Sequence, residues 1–169
     1  MELSNYWDSL EFIDEYQLSK EALIADVLVI VMKDAVAIEK NIGKIFRKHN
    51  IFEYKSETAY VSIKDYYKII AYGCLYMAFN KLVAGIDQIT LTFVEYKEPL
   101  NLFKHLREER GLAITRPFGD GIYYIAGELF PIQFVIINES LPEEEYTFLR
   151  NLRSRLGKEN LINIYNALQ

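Results

Sequence analysis

Glu53, Tyr54 and Lys55 have the residue types and spacing that most directly imply chemistry in this chain. On an extended strand, side chains two residues apart project from one face, about 6 to 7 Å apart along the chain, so Glu53 and Lys55 can serve one site. Upstream, Asp26 interrupts an otherwise apolar and β-branched run. If that run pairs beside the Glu53 strand, about 5 Å away, Asp26 and Glu53 can hold one Mg²⁺ or Mn²⁺ ion, with the Tyr54 carbonyl as a further ligand. Phosphodiester hydrolysis uses such a set: carboxylates hold a hard cation, the cation polarises phosphate and acidifies water, and a lysine orients the nucleophile. The plainer alternative is that Glu53 and Lys55 form a solvated charge pair on a strand surface.

The chain repeats the pattern, because Glu95-Tyr96-Lys97 has the same three residue types. Context ranks the two copies. The first follows an acid-bearing strand and precedes a capped helix, whereas the second lacks an upstream strand acid and is soon followed by Pro99. Glu11 and Glu15 in the acidic N-terminal segment read from the residues alone as a solvated helix face. Lys40, Lys44, Arg47, Lys48 and His49 form the one dense basic stretch, readable as a phosphate-binding rim or as an exposed helix face. Lys68 and Tyr72, one turn apart, would support the site from behind. His49 and His105 lack a second His or Cys at ligand spacing and read as surface or capping residues. Gly119, Gly121 and Gly127 punctuate turns and do not form a dinucleotide fingerprint.

The elements that must position these groups follow from hydrophobic periodicity. Residues 5–17 read as a short amphipathic helix, 22–32 as a buried strand containing Asp26, and 35–50 as a helix or helical turn bearing the lysines. A short strand at 50–55 carries Glu53 and Lys55, and 56–61 is loop. Ser62 with Asp65 three residues on is a capping-box helix start. The helix runs through Asn80, with Ile63, Tyr67, Ile70, Cys74 and Met77 as its expected core face. Residues 88–96 read as a strand, Pro99 and Gly111 bracket a helix with Phe103 and Leu106 inward, and 121–126 with 131–137 read as a hairpin. A last main helix spans about 141–156, with Glu143, Glu144 and Glu145 in its first turn and Arg153 and Arg155 in its last. This order predicts a single-domain α/β protein with a mixed sheet flanked by helices.

Composition narrows the classes. At 169 residues and 51% hydrophobic, with 13 Tyr and 10 Phe, the chain can bury a core without covalent staples. A net charge of −5 repels phosphate at long range, so nucleic-acid binding needs a local positive patch. Cys74 is the only cysteine, which excludes an internal disulfide and a thiolate zinc site and suits a reducing cytoplasm. The acidic N-terminal segment does not read as a secretory signal, and no uncharged run approaches the roughly 18 to 20 residues that a membrane span needs.

The run Asn50-Ile51-Phe52-Glu53-Tyr54-Lys55-Ser56, followed by Ser62-Ile63-Lys64-Asp65-Tyr66-Tyr67-Lys68 and Tyr72, resembles a transposase-like or nuclease-like bacterial branch of the PD-(D/E)XK nucleases. The resemblance covers residues 23–76 best, and the 121–137 hairpin and the 141–156 helix more loosely. It implies a restriction-endonuclease-like core in which Glu53 and Lys55 lie on the signature strand, Asp26 on a preceding strand, and the next helix packs across the sheet. It further implies Mg²⁺-dependent cleavage of DNA or RNA, a homodimer as in many such nucleases, and a further acid from the first helix, Glu11 or Glu15, where that helix end points at the site. Two features depart from the pattern: Ala25 stands where the motif has proline, and the basic stretch 35–49 replaces a plain strand hairpin. A relative that keeps the fold as a non-catalytic binding or assembly module is the other reading, consistent with the acidic net charge.

Overall fold

The computed structural model describes residues 28–32, 38, 40–56, 58–119 and 121–139. The expected N-terminal helix, the 141–156 helix, Glu11, Glu15 and Asp26 all lie outside them.

Within the described residues a six-stranded mixed sheet has the order β1-β2-β3-β6-β5-β4. Its strands are β1 (Leu28–Val31), β2 (His49–Tyr54), β3 (Ile89–Glu95), β4 (Ala113–Thr115), β5 (Ile122–Ala126) and β6 (Ile132–Ile136). β1 runs antiparallel to β2, while β2, β3 and β6 are mutually parallel. The expected hairpin is present as antiparallel β5 and β6, and β5 also pairs with β4. β4 has no counterpart among the elements expected from sequence, because three residues with mostly exposed side chains carry no periodic signal.

Helix α1 (Ile63–Phe79) joins β2 to β3, and α2 (Leu100–Glu108) follows β3. Both lie on one face of the sheet, where Ile51, Leu91, Phe93, Ile132, Phe134 and Ile136 pack against Tyr66, Ile69, Leu102, Phe103 and Leu106. Phe93 and Phe134, side by side on β3 and β6, stack at 4.6 Å between ring centres, and Tyr66 stacks on Phe93 at 5.7 Å. The opposite face packs Phe52, Val94, Ile122 and Val135 against Ile42, Ile45 and Phe46. Strand alternation separates the two sets, so Glu53 shares the helix-bearing face with Ile51.

Three expectations need correction. The first is the basic stretch, expected as a helix or helical turn: over residues 40–48 only the turn is present, as a 3₁₀ turn at Asn41–Gly43. Two carbonyls of this stretch bond to the sheet instead of propagating a helix: Gln133 Nε2 donates to the Ile42 carbonyl at 2.8 Å, and Thr90 Oγ1 to the Ile45 carbonyl at 3.2 Å. Gly43 within the run weakens helix further, and Ile38 packs where a β-carbon would stand.

The second concerns the core face of α1. Its fully buried positions are Tyr66, Ile69 and Gly73, while Tyr67 is exposed and Ile63, Ile70, Cys74 and Met77 only flank the core. Glycine does not count in an apolar stripe, yet here it lets the Phe130 ring abut the helix backbone. Tyr66 is accommodated because its hydroxyl reaches Glu128 at 3.0 Å. The third is His49, a buried residue and not a surface one, with Nδ1 3.0 Å from the Tyr76 hydroxyl. Burial, with Lys48 nearby, holds its imidazole below the ordinary range.

Candidate functional site

The parallel strands β2 and β3 end side by side, and α1 begins beyond a short loop. In open α/β sheets the carboxyl ends of parallel strands are where ligand sites form, because crossover connections diverge there. Glu53 is the penultimate residue of β2 and is buried at 6% exposure. Lys55 is one residue past the strand, and its backbone N–H still bonds to the Val94 carbonyl at 2.8 Å. Lys55 therefore stands next to Glu95, the last residue of β3, on the face that carries Glu53.

Lys55 Nζ lies 2.9 Å from Glu53 Oε1 and 3.3 Å from Asp65 Oδ1. Burial alone would depress this ammonium, but the hydrogen bond to Glu53 and the charges of Glu53 and Asp65 outweigh it and hold it above the ordinary lysine range. Lys55 is a fixed cation at neutral pH. Asp65 is placed by the helix start that the sequence announces. Its backbone N–H donates to Ser62 Oγ at 3.1 Å, and its Oδ2 accepts from the Ser62 N–H at 3.0 Å and the Ser62 hydroxyl at 2.7 Å. Against the effect of burial, the Ser62 bonds and then Lys55 keep Asp65 below the usual carboxylate range. Lys68 adds a looser contact to Asp65 at 3.6 Å and sits 6.0 Å from the centre of the Tyr72 ring.

Glu95 is fully buried. Oε2 accepts the Val61 N–H at 3.2 Å, and Oε1 has no hydrogen-bond partner. Burial pushes its carboxyl up to about 8, against the Val61 bond and the Lys55 charge, with Asp65 adding to the rise. At neutral pH it is therefore mostly the neutral acid. Because Oε2 is spent as an acceptor, the proton belongs on Oε1.

The structure thus brings together Glu53, Lys55, Asp65 and Glu95. The sequence points to the first two, marks Asp65 only as a helix cap, and ranks Glu95 as the lesser copy of the repeated pattern. The repetition was itself the signal, since two E-Y-K runs at the ends of neighbouring parallel strands meet on one face. The Tyr54 side chain is on the opposite face, against the Phe52 cluster. Within the basic stretch, Lys44 lies over the Phe118 ring and Arg47 bonds backward to the carbonyls of Ile45 and Phe46.

Among the described residues no group of three or more His, Cys, Asp or Glu side chains is arranged to hold a metal ion. Mg²⁺ nonetheless needs only one or two carboxylates, with water and substrate phosphate completing its shell. The hard-oxygen character of Glu53 fits such a cation in donor chemistry. No helix among the described residues is long and apolar enough to cross a membrane. Comparison of the chain with protein-family models, with curated proteins and with solved structures finds no match in any of the three.

Proposed function

We infer that the chain is a metal-dependent nuclease-like protein of the PD-(D/E)XK type, hydrolysing nucleic-acid phosphodiesters. One observation carries this reading: a carboxylate and a lysine two residues apart, 2.9 Å from each other, at the carboxyl end of a parallel strand that leads into a crossover helix. Glu53 would hold Mg²⁺ or Mn²⁺, joined by Asp26 and the Tyr54 carbonyl. When bound, the ion supplies charge to polarise the phosphate and acidify water. Lys55, kept protonated by its two carboxylates, binds a phosphate oxygen or orients the attacking water. Asp65 and its Ser62 cap fix where the ammonium sits. A reducing cytoplasm and a homodimer belong to the same reading.

A non-catalytic binding module of the same fold is favoured by one feature. Lys55 is closed between Glu53 and Asp65 at 2.9 and 3.3 Å, an arrangement that satisfies the charges with no ligand. Calorimetric titration of Mg²⁺ and Mn²⁺ into the wild type and Glu53→Ala, alongside cleavage of mixed DNA and RNA, separates the two. Metal binding that Glu53→Ala abolishes, together with metal-dependent cleavage, is the expected result. Absence of metal binding in both proteins would overturn the catalytic reading and leave the module.

A further inference from the structure

A second set of chemistry-bearing side chains lies between α1 and α2, and it uses none of the residues assigned above. The Tyr67 hydroxyl is 2.9 Å from His105 Nε2, and His105 Nδ1 is 2.9 Å from Glu109 Oε2. From the other side, Arg110 Nη1 donates to the same hydroxyl at 2.7 Å.

The direction of each bond follows from which groups can donate. An ionised Glu109 only accepts, so the proton of the neutral imidazole is on Nδ1 and Nε2 presents its lone pair. Arg110 has donors and no acceptor. The Tyr67 oxygen therefore accepts from Arg110 and gives its own proton to Nε2. This is the arrangement of an activated nucleophile: a hydroxyl bonded to a base, the base oriented by a carboxylate, and a cation beside the oxygen that will carry negative charge.

The fold holds each member in place. His105 and Glu109 are one helical turn apart at the end of α2. Past the helix the chain reverses at Gly111, whose φ of +64° is a left-handed conformation suited to glycine. The reversal is tied by the Arg110 N–H on the His105 carbonyl at 3.2 Å and the Leu112 N–H on the Leu106 carbonyl at 2.9 Å. The guanidinium is steered from behind by Glu128 at 3.7 Å, which in turn accepts from the buried Tyr66 hydroxyl at 3.0 Å and from the Leu129 N–H at 3.1 Å. Tyr67 itself is 36% exposed, so its side chain is partly open to solvent.

The geometry points to Tyr67 as a nucleophile toward phosphorus, with His105 as its base. The substrate class is an activated phosphate ester or anhydride. A phosphoryl group is favoured because Arg110 places a guanidinium, with further N–H donors, beside the attacking oxygen. In the step, Tyr67 Oη forms the new O–P bond and its proton passes to His105 Nε2, giving an imidazolium paired with Glu109. The bond from phosphorus to the leaving group breaks, and the leaving group departs with that electron pair and takes its proton from water. The product is an O-phosphoryl Tyr67. This activity stands or falls independently of the Glu53–Lys55 reading.

An alkyl fluorophosphonate tests it directly, since P–F cleavage releases fluoride and needs no acid. The full chain is treated with the reagent and the adducts are mapped by peptide mass spectrometry over a time course. Tyr67 is expected to be modified about tenfold faster than any other tyrosine of the chain. Tyr67→Phe should remove the fast adduct. His105→Ala should slow it about tenfold or more, as loss of a general base does, and added imidazole should restore part of the rate. Circular dichroism shows whether each variant is folded, and His105→Gln serves if the alanine variant is not. Modification without preference for Tyr67, no modification at all, or a Tyr67 rate unchanged without His105 would overturn the proposal.

Discussion

Replacing Glu95 by glutamine should change the pH dependence of stability in a defined direction. The carboxyl is fully buried with Oε1 unpartnered, and burial raises it from the ordinary value of 4.5 to about 8. Between those two values the native protein keeps a proton that the unfolded chain has released, so stability falls as pH rises through that window. The contribution is complete below pH 4.5 and lost above pH 8. At about 1.4 kcal/mol for each pH unit, the rise from 4.5 to about 8 sets a ceiling of about 5 kcal/mol. Transient water entry lowers this, and we expect about 3 to 5 kcal/mol. Glutamine has the same shape and can still accept the Val61 N–H, but it does not titrate. Urea unfolding of both proteins from pH 5 to 8.5 is the assay. The two should be within about 1 kcal/mol of each other at pH 5, and Glu95→Gln should become the more stable by the amount above at pH 8.5. Other titrating groups are common to both proteins and cancel in the difference. Parallel curves across this range would refute the reasoning, because a Glu95 ionised at all these pH values contributes no slope.

The helix cap and the close approach of α1 to the sheet give two further expectations. Ser62→Ala removes the acceptor for the Asp65 N–H and the hydroxyl donor to Asp65 Oδ2. It should cost about 1 kcal/mol in urea unfolding. Gly73→Ala would set a β-carbon 3.0 Å from the Phe130 ring and 3.3 Å from Leu91. The overpacking, about 1 to 3 kcal/mol, should exceed the gain of about 1 kcal/mol in helix propensity and lower the melting temperature. A melting temperature that rises would show that Phe130 yields without strain.

Much of the fold was legible because it is written in local signals. Ser62 and Asp65 announced the start of α1, Phe103 and Leu106 were assigned to the core side of α2, and the turn residues around Gly127 marked the β5–β6 hairpin. Where local signals were silent or ambiguous, tertiary contacts decided. The lysine spacing from Lys40 to Lys48 satisfies a helix, yet Gln133 and Thr90, distant in sequence, claim the carbonyls a helix would need. Periodicity placed the buried face of α1 on Tyr67, whereas the Phe93–Phe134 stack and the Phe130 ring select Tyr66 and Gly73.

The candidate site divides along the same line. The sequence by itself determined that Glu53 and Lys55 share one strand face, because that follows from the two-residue repeat of an extended chain. It likewise determined that Asp65 sits in the first turn of the following helix. Only the tertiary structure decided that Asp65 bends back to Lys55 and that the second acidic copy, Glu95, stands beside it on the neighbouring strand. It also decided that Tyr67 meets His105 and Arg110 across two helices. The physical reason is common to all three. Strand register and helix packing juxtapose groups that are 10 to 43 residues apart in sequence, and no local pattern encodes which of the available polar groups a buried charge will find.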